Sequence, residues 1–447
     1  MNIRVDQETR SKDFENLRFY IHTFGCQMNV NDSEHIAGIL IRLGGKKSNS
    51  PEESNLIIIN TCAVREKSEE KLYSLLGRLK PLKKKNDAAI GVAGCVAQLH
   101  RSQLLERKPF IDFIIGPDNY KQIPKILSTL HGEKIISTHW SRQWHEIPAS
   151  HTFRESPVSG YVTVMEGCNN FCSYCIVPFT RGREKFRPMR NILKEVEDLA
   201  DKGYQKIQLL GQNVNSYKDP QGRGFSDLLK EVSRVDGIEW IRFITSHPKN
   251  FTKDIAITMK ETRKVCHQLH LPIQSGSSTV LKRMNRDYTR EEYLEKIAML
   301  RDLMPDISLS TDIIVGYPGE NEKEFKDTLS ILEQVQYTNI FSFRYSPRPL
   351  TAASRSKDSV PFETKRRRLI EVQSLQKKIQ LEKNKSFVGQ VMKVLCTGKS
   401  KKDPQVYSGR NEGFQVINFK SNKDVQGQFV DVRITACGPH SLQGTVI

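Results

Sequence analysis

The sequence predicts an α/β protein in three parts: a doubly wound α/β domain at residues 17–134, a partial (β/α)6 barrel at 154–384 and a small antiparallel β-barrel at 387–447. Three observations predict this fold class. Apolar runs alternate with helical patterns in the first part, and the alternation returns with a longer repeat in the second. The third part holds only short strands of alternating polarity. A chain of 447 residues is also long enough for about three domains.

The first part shows the alternation of strands and helices that is typical of a parallel sheet covered on both faces. The predicted strands are 18–25, 56–61, 88–95 and 112–116, and the predicted helices are 31–43, beside the capping-type residues Asn31 and Asp32, and 64–80. Because the apolar runs are short and nearly continuous, we expect the strands to be buried on both faces.

Three cysteines, Cys26, Cys62 and Cys95, each follow a different predicted strand directly. In a parallel sheet all three would emerge at the carboxyl edge, where ligands usually bind. Neighbouring strands lie about 4.8 Å apart, so the thiols could converge although they are distant in sequence. One such cysteine would be interpreted as a small buried hydrophobic residue. Three at equivalent strand ends predict a metal site.

Residues 135–159 lack periodicity and contain prolines, which is typical of a linker. The segment holds three histidines and two tryptophans: His139, His145, His151, Trp140 and Trp144. We expect this mixed loop to pack between domains rather than to bind a metal.

The central part contains six successive β/α units. Strands are predicted to begin at Gly160, Lys206, Glu239, Cys266, Ile307 and Asn339, with helices at 190–202, 225–235, 252–261, 290–303 and 322–335. Right-handed connections would place the helices outside one parallel sheet. Six units are too few for a complete eightfold barrel, so an open, partial barrel is expected.

Three further cysteines, Cys168, Cys172 and Cys175, lie within eight residues just after the first strand of that barrel. A structural zinc site normally has four ligands, and a 4Fe–4S cluster normally takes four cysteines. Three thiolates from one loop would leave one iron of a cluster open for a substrate or cofactor. Cys266 could close a zinc site instead, but it opens another strand and is expected in the core.

The chain is basic, with 69 Lys+Arg against 51 Asp+Glu and a net charge of +18. Such a balance favours a polyanionic partner, most often nucleic acid, although a solvated basic surface is the alternative. Residues 355–385 are predicted to form a basic helix with ten basic and four acidic residues, and 387–447 carry eight basic and four acidic ones. No aromatic stacking platform accompanies these charges, which favours contacts to an RNA backbone over base recognition.

No signal peptide or membrane-spanning run is recognisable, and charges are interleaved through the first twenty residues. The nine cysteines are an odd number, which argues against complete disulfide pairing. We therefore expect a cytoplasmic protein without a membrane partner, in which cysteines bind metal or take part in catalysis.

The CxxxCxxC pattern at the mouth of a β/α barrel strongly resembles the radical S-adenosylmethionine superfamily. Together with the N-terminal cysteine domain and a terminal barrel of the TRAM type, the chain resembles the methylthiotransferase family. The motifs that carry this resemblance are "TFGCQMN", "NTCAVRE", "CNNFCSYCIVPFTRGRE", "LLGQNVNSY", "TSHP", "LHLPIQSGS", "MNRDYTREEY" and "DIIVGYPGE". They are most similar to the branch that acts on N6-dimethylallyladenosine in tRNA, and "LLGQNVNSY" best separates it from its siblings.

The resemblance implies methylthiolation of C2 of N6-dimethylallyl(isopentenyl)adenosine next to the anticodon. Because C2–H is not acidic, its removal requires a radical, which the family derives from S-adenosylmethionine. By resemblance, Cys168, Cys172 and Cys175 hold the radical 4Fe–4S cluster. Cys26, Cys62 and Cys95 hold a second, auxiliary 4Fe–4S cluster that carries the sulfur. No single residue is assigned as a catalytic acid or base.

Weaker candidates lie at other strand ends, where ordinary loop roles are an equal alternative. The positions that the resemblance suggests for S-adenosylmethionine or the substrate are Gly211, Gln212, Asn213, Ser246, His247 and Gln274. The family further implies a tRNA partner, an electron donor such as flavodoxin or ferredoxin, and a monomer.

Two alternatives remain open at this stage. One is a sibling methylthiotransferase that acts on threonylcarbamoyladenosine in tRNA or on an aspartate of a ribosomal protein. The other is an RNA-binding protein with structural metal sites, which the basic tail and the cysteines allow. Six β/α units and two three-cysteine sets exceed what that second alternative needs.

Overall fold

The computed structural model describes residue 14 and residues 16–130, 132–401 and 403–447. The chain forms two compact units. The first comprises Met1–Glu155, Tyr161–Asn169 and Cys175–Arg187, and the second comprises Ser156–Gly160, Asn170–Tyr174 and Pro188–Ile447. Most of the first twenty residues, on which the expectation of no signal peptide partly rests, lie outside the described residues.

The first unit is built on a six-stranded parallel sheet. Its elements are β1 Arg18–Phe24, α1 Gln27–Arg42, β2 Lys46–Lys47, β3 Leu56–Thr61, α2 Glu66–Asn86, β4 Ala89–Ala93, α3 Cys95–His100, α4 Ser102–Arg107, β5 Phe113–Ile115, α5 Ile123–Ser128 and β6 Ile135–Ser137. The strand order is β2-β1-β3-β4-β5-β6, and every pair is parallel. Apolar clusters lie on both faces, because the buried strands alternate their side chains between two helical layers. The predicted doubly wound fold is confirmed.

Two helix boundaries in this unit differ from the prediction. Helix α1 begins at Gln27, before Asn31 and Asp32, because Cys26 is its N-cap and both polar residues are buried inside the helix. Helix α2 runs past Pro81 to Asn86, and Lys83 in its last turn is paired with Asp112.

The segment 135–159 is also more ordered than a linker, which corrects that prediction. Its first residues form β6, which extends the sheet beside β5. Further along, the backbone N–H of Phe153 donates to the carbonyl of Glu34 in α1 over 3.1 Å. A short 3-10 turn covers Ala149–His151. Residues 135–155 therefore pack as part of the first unit, whereas 156–159 belong to the second.

The remaining strands and helices follow the predicted β/α order. They are β7 Ser159–Thr163, β8 Met165–Glu166, α6 Val177–Thr180, β9 Lys185–Phe186, α7 Met189–Asp201, β10 Lys206–Leu210, α8 Phe225–Ser233, β11 Trp240–Phe243, α9 Lys253–Glu261, β12 Gln268–His270, α10 Ser278–Arg283, α11 Arg290–Leu303, β13 Ser308–Val315, α12 Glu322–Val335 and β14 Asn339–Arg344. In the second unit β10 pairs with β11, and β12, β13 and β14 form a parallel ladder. A parallel bridge from Ile241 to Val265 continues the first pair toward β12.

The C-terminal part begins with the basic helix α13 Phe362–Lys385 and ends in a closed five-stranded barrel. Its strands are β15 Val391–Lys399, β16 Tyr407–Asn411, β17 Val416–Lys420, β18 Phe429–Cys437 and β19 Leu442–Val446, in the order β15-β16-β17-β19-β18. One pair, β17 with β19, is parallel, so the barrel is not wholly antiparallel as predicted. The parallel pair arises because β18 intervenes in sequence before β19 closes the barrel.

Within the second unit this barrel is docked through a buried guanidinium. Arg242 of β11 donates to the carbonyl of Asn411 over 2.7 Å and lies 4.7 Å from the centroid of the Phe414 ring. Cys266 lies in the same unit in an apolar cluster with Trp240 and Leu395, which confirms the prediction that it belongs to the core. No helix in the described residues is long and apolar enough to cross a membrane.

Candidate functional site

The first unit brings Cys26, Cys62 and Cys95 together. They follow β1, β3 and β4, which are neighbours in the parallel sheet, so all three leave the same edge. Interaction with the Cys62 thiol is the main cause that lowers the pKa of Cys26 to about 6, and the same interaction raises the pKa of Cys62. Burial raises the pKa of Cys95. The predicted convergence of these three strand ends is present.

Polar side chains hold the strand ends in this arrangement. Asn29 Nδ2 donates to Asn60 Oδ1 over 3.1 Å, and Asn60 Nδ2 donates back to the carbonyl of Asn29 over 2.8 Å. Gly94 has φ +88°, and a Cβ there would lie 2.2 Å from Asn60 Oδ1. Only glycine therefore fits between Asn60 and Cys95. Both asparagines lie inside or next to the quoted cysteine motifs, but spacing alone did not identify them.

Each thiol of this set has a hydrogen-bond partner. The Cys26 thiol donates to Asn29 Oδ1 over 3.4 Å, and the N–H of Val64 donates to Cys62 Sγ over 3.3 Å. Arg181 Nε donates to Cys95 Sγ over 3.4 Å. The N–H groups that donate to Cys62 and Cys95 stabilise thiolates and so favour metal ligation, whereas Cys26 is itself the donor to Asn29. In the described part of the chain no three His, Cys, Asp or Glu side chains form a ready site for one metal ion. A cluster needs no shared ion, since its thiolates bind separate irons.

Arg181 links this cysteine set to a buried charge network in the same unit. Its guanidinium, only 3% exposed, forms an ion pair with Asp32 and lies 3.6 Å from Glu166 Oε1. Tyr120 OH donates to Asp32 Oδ2 over 3.3 Å, and Lys185 Nζ lies 3.4 Å from Glu166 Oε2. The positive charge at Cys95 is therefore neutralised locally by a carboxylate. Arg181 belongs to the quoted "TRGRE" stretch, but no spacing rule connected it with Cys95.

The CxxxCxxC cysteines are described in separate units. Cys168 and Cys175 belong to the first unit, and Cys172 belongs to the second. The N–H of Cys168 donates to the carbonyl of Gly182 over 3.2 Å. The preceding Gly167 has φ +78°, and a Cβ there would lie 2.1 Å from the Arg183 carbonyl oxygen. This turn therefore requires glycine, which fixes the start of the cysteine loop.

In the second unit Cys172 is buried between two nitrogen donors. Arg286 donates through one terminal nitrogen to Cys172 Sγ over 3.4 Å, and His247 Nε2 lies 3.8 Å from the same sulfur. Burial lowers the pKa of His247 to about 2, so the imidazole is neutral. Its Nδ1 accepts the N–H of Lys249 over 3.2 Å, which leaves the ring proton on Nε2. Both groups therefore direct N–H bonds toward the thiol.

The loop of residues 170–174 is held by distant parts of the second unit. Asn285 Nδ2 donates to two of its carbonyl oxygens, over 3.2 and 3.1 Å. Ser173 Oγ shares a 2.8 Å hydrogen bond with Tyr317 OH, and its carbonyl accepts the N–H of Ala353 over 2.7 Å. The position of Cys172 is thus determined by tertiary contacts and not by the loop alone.

The other predicted positions lie at strand ends of the second unit. Gly211, Gln212 and Asn213 follow β10, and the carbonyl of Gly211 accepts the hydroxyl of Thr245 over 2.6 Å. Ser246 and His247 follow β11, and Gln274 follows β12 and bridges to Ile313. The two strand ends after β10 and β11 are therefore joined directly.

Two features of these loops are unusual for structural turns. Thr245 and Gln274 have φ values of +67° and +75°, which are uncommon for residues other than glycine. Ser246 Oγ is buried and has no hydrogen-bond partner among the described residues. Strained backbone and an unsatisfied buried hydroxyl are typical of ligand sites.

Family models match three separate parts of the chain. The "Radical SAM superfamily" model matches residues 162–332, the model of "Uncharacterized protein family UPF0004" matches 18–116, and the "TRAM domain" model matches 385–447.

Curated relatives match over nearly their full length. One is the tRNA-2-methylthio-N(6)-dimethylallyladenosine synthase of Carboxydothermus hydrogenoformans, 44% identical over 96% of this chain and 99% of the relative. The protein of the same name from Geobacter metallireducens is 46% identical over 95% and 97%. Among solved structures, the radical S-adenosylmethionine methyltransferase TsrM from Kitasatospora setae has a TM-score of 0.56 at 13% identity, covering 75% of each chain. That likeness concerns the fold alone.

Proposed function

The chain belongs to the tRNA-2-methylthio-N(6)-dimethylallyladenosine synthase family of radical S-adenosylmethionine enzymes, and we propose that its two cysteine sets divide the reaction between two iron–sulfur clusters. It is a tRNA methylthiotransferase that uses S-adenosylmethionine and a 4Fe–4S cluster. The reaction adds a methylthio group to C2 of N6-dimethylallyladenosine. The proposed division of labour assigns the auxiliary cluster to residues 17–134, radical formation to 154–384 and RNA binding to 387–447.

Cys168, Cys172 and Cys175 would hold the radical cluster. When bound, this cluster supplies the electron that cleaves S-adenosylmethionine and so provides a radical for the C2 hydrogen. Three thiolates leave one iron open for the cofactor, which agrees with the donor set of the motif. At Cys172, the N–H groups of Arg286 and His247 stabilise the thiolate form that ligation requires.

Cys26, Cys62 and Cys95 would hold the auxiliary cluster. When bound, this cluster supplies the sulfur that is transferred. The residues fit such a group: three thiols share one sheet edge, and N–H groups of Val64 and Arg181 donate to two of them. Arg181 donates to Cys95 and holds that thiol in place.

S-adenosylmethionine would bind at the strand ends that follow β10, β11 and β12. The residues proposed for it or for the substrate are Gly211, Gln212, Asn213, Ser246, His247 and Gln274. The buried hydroxyl of Ser246, which lacks a partner among the described residues, supports a polar ligand there. The backbone strain at Gln274 supports the same interpretation.

The TRAM match and the tRNA-modifying relatives make tRNA the macromolecular partner. We propose that the protein acts as a cytoplasmic monomer, reduced by a flavodoxin- or ferredoxin-type donor. The cysteine-rich metal sites and the tRNA substrate support a reducing compartment.

The convergence of Cys26, Cys62 and Cys95 is the observation that carries the two-cluster proposal. The test is expression of the wild-type chain and of Cys62→Ala in a strain that lacks its own methylthiotransferase, with mass spectrometry of the tRNA nucleosides. Wild type should form 2-methylthio-N6-dimethylallyladenosine, and Cys62→Ala should not. Methylthiolated threonylcarbamoyladenosine, or no modified tRNA, would contradict the substrate assignment.

A further inference from the structure

Strands β12, β13 and β14 of the second unit present one face that the surrounding helices do not cover. On β14, Ser342 accepts a hydrogen bond from Gln373 of α13 over 3.3 Å, and the Arg344 guanidinium lies 4.4 Å from the Phe362 ring centroid at the start of the same helix. Ser342 and Arg344 therefore face α13. Because side chains alternate along a strand, Phe341 and Phe343 project from the opposite, inner face.

The aromatic side chains on this inner face are unusually accessible. Phe341 is 43% exposed and Phe343 is 36% exposed. In the neighbouring strand Asp312 pairs with Phe341 in register, and Ile314 pairs with Phe343. The inner face thus combines an apolar surface with one carboxylate. A water-facing apolar surface beside a few fixed polar groups is characteristic of a ligand site.

His270 of β12 fixes the carboxylate. Its Nδ1 shares a 3.0 Å hydrogen bond with Ser310 Oγ, and its Nε2 lies 3.5 Å from Asp312 Oδ1. The imidazole also packs edge-on against Phe341, with ring centroids 5.8 Å apart. The Asp312 side chain is 30% exposed, so one of its oxygens can still accept a hydrogen bond from a ligand.

This face reaches the cysteine loop within the same unit. Ile314 and Tyr174 both pack on the apolar cluster that contains Tyr317 and Tyr345. The hydroxyl of Tyr174 accepts a hydrogen bond from Arg286 over 3.4 Å, and Arg286 also donates to Cys172. A molecule bound on the inner face would therefore lie on the same side of the sheet as Tyr174. Tyr174 is linked to Cys172 through Arg286.

We propose that this inner face binds the dimethylallyl-substituted adenine of the substrate, with Phe341 and Phe343 against the five-carbon chain and Asp312 accepting the remaining N6 hydrogen. The proposal rests on the proposed function, since it names the residues that recognise its substrate. His270 is a positioning residue that orients Asp312. An apolar surface would disfavour the charged threonylcarbamoyl group, because burying a carboxylate there without a cationic partner is costly.

The test uses reconstituted full-length holoenzyme and two synthetic anticodon stem–loops, one with N6-dimethylallyladenosine and one with adenosine at the target position. The dissociation constants of both RNAs and the formation of methylthio product are measured. The wild type should prefer the prenylated RNA. Phe341→Ala should reduce that preference by about tenfold, because an apolar contact is lost. Phe362→Ala, the same change on the outer face, should leave the preference unchanged.

Further variants keep the test decisive if Phe341→Ala does not fold. Phe341→Leu should keep the preference within about threefold of wild type, whereas Phe341→Gln should lose it, because glutamine exposes a polar amide to the prenyl chain. Asp312→Leu should weaken the binding of both RNAs equally, since adenosine also has an N6 hydrogen. Iron content and cleavage of S-adenosylmethionine without RNA identify variants that have lost their fold.

The outcomes separate this inference from the proposed function. If wild type forms product from the prenylated RNA but Phe341→Ala and Phe341→Gln retain the full preference, the inference is wrong and the function stands. If wild type binds both RNAs equally, recognition at this face is also excluded. If wild type forms no product from the prenylated RNA, the proposed function itself fails.

Discussion

Arg181 and Arg286 occupy comparable positions beside the two cysteine sets, but their surroundings carry different charge. Each is buried and donates a hydrogen bond to a thiol over 3.4 Å. Arg181 is paired with Asp32. Arg286 instead contacts Tyr288 OH over 2.8 Å and the carbonyl of Pro272, and in the described residues it forms no ion pair with a carboxylate.

The difference shows how one residue type can serve two purposes. At the first set the positive charge of the Arg181 guanidinium is cancelled by the negative charge of Asp32. Arg181 therefore provides a hydrogen bond to Cys95 with little net charge. At the second set the hydrogen-bond partners of the guanidinium in the described part of the chain are neutral oxygens and a thiol, so a full positive charge acts on Cys172. A cation near a cluster favours the reduced form, because reduction adds negative charge.

The largest expected effect comes from removing one thiol from either set. Cys172→Ala should abolish S-adenosylmethionine cleavage and keep the iron bound by Cys26, Cys62 and Cys95. Cys62→Ala should keep 5′-deoxyadenosine formation and lose the methylthio product. Iron counting and product analysis on the two variants provide the measurement. Cleavage by Cys172→Ala, or methylthio product from Cys62→Ala, would contradict the assignment of the respective set.

A large loss of stability is expected from Asp32→Asn. The substitution leaves Arg181 buried with Glu166 at 3.6 Å as the nearest carboxylate, which should cost about 3–5 kcal/mol of unfolding free energy. The measurement is urea unfolding of the apoprotein. Asp287→Asn, which breaks the exposed pair with Lys249, is the control and should cost less than about 1 kcal/mol. Similar losses of unfolding free energy for both variants would show that the buried pair stabilises the protein no more than the exposed pair does.

A moderate effect is expected on the reduction potential at the second set. In a Cys62→Ala background, Arg286→Leu should make the potential roughly 50–100 mV more negative, since one nearby positive charge is removed. Arg286→Lys should shift it less. The measurement is a redox titration followed by electron paramagnetic resonance.

The matching experiment at the first set uses a Cys172→Ala background. The double variant Asp32→Leu/Arg181→Met removes both charges of the pair. The auxiliary potential should therefore move by less than about 30 mV. A shift as large as that of Arg286→Leu would mean that Asp32 does not neutralise Arg181.

The smallest effect concerns the contrast between paired and unpaired positive charges on the protein surface. Lys420 and Lys423 of the terminal barrel are exposed and have no ion pair among the described residues, whereas Lys385 is paired with Glu382 over 2.7 Å. Lys420→Gln and Lys423→Gln should each reduce the magnitude of the negative slope of log Kobs against log salt for tRNA by about 0.7–0.9. Lys385→Gln should lower it less. Equal slopes for all variants would exclude the barrel lysines from phosphate contact.

The sequence predicted most of the architecture, because strands and helices follow local periodicity. All six strands of the partial barrel lie within two residues of their predicted starts, as at Lys206 and Asn339. The placement of the cysteines at strand ends was equally predictable, since parallel strands place such residues at one edge of the sheet. The start of α1 was missed because Asn31 and Asp32 resemble capping residues but are buried by tertiary contacts.

The groups around the thiols were not predictable from spacing. Arg181 contacts Cys95 across 86 residues, and Arg286 contacts Cys172 across 114. Such pairs depend on how distant elements pack, which no local period encodes. Phe341 was missed for a related reason. In its strand Phe341 and Phe343 alternate with Ser342 and Arg344, a pattern that normally predicts a buried aromatic face, and only the packing shows that α13 lies on the polar side.

The anchoring of the loop at residues 170–174 has a consequence for how the protein is made. Ser173 is held by Ala353, a residue that the ribosome adds 180 positions later. At about 5–20 residues per second, synthesis of that stretch takes on the order of ten to forty seconds. During this interval Cys172 exists without the support that orients it. Iron loading at this loop is therefore a late event, and a chain released before residue 353 should retain iron only at Cys26, Cys62 and Cys95.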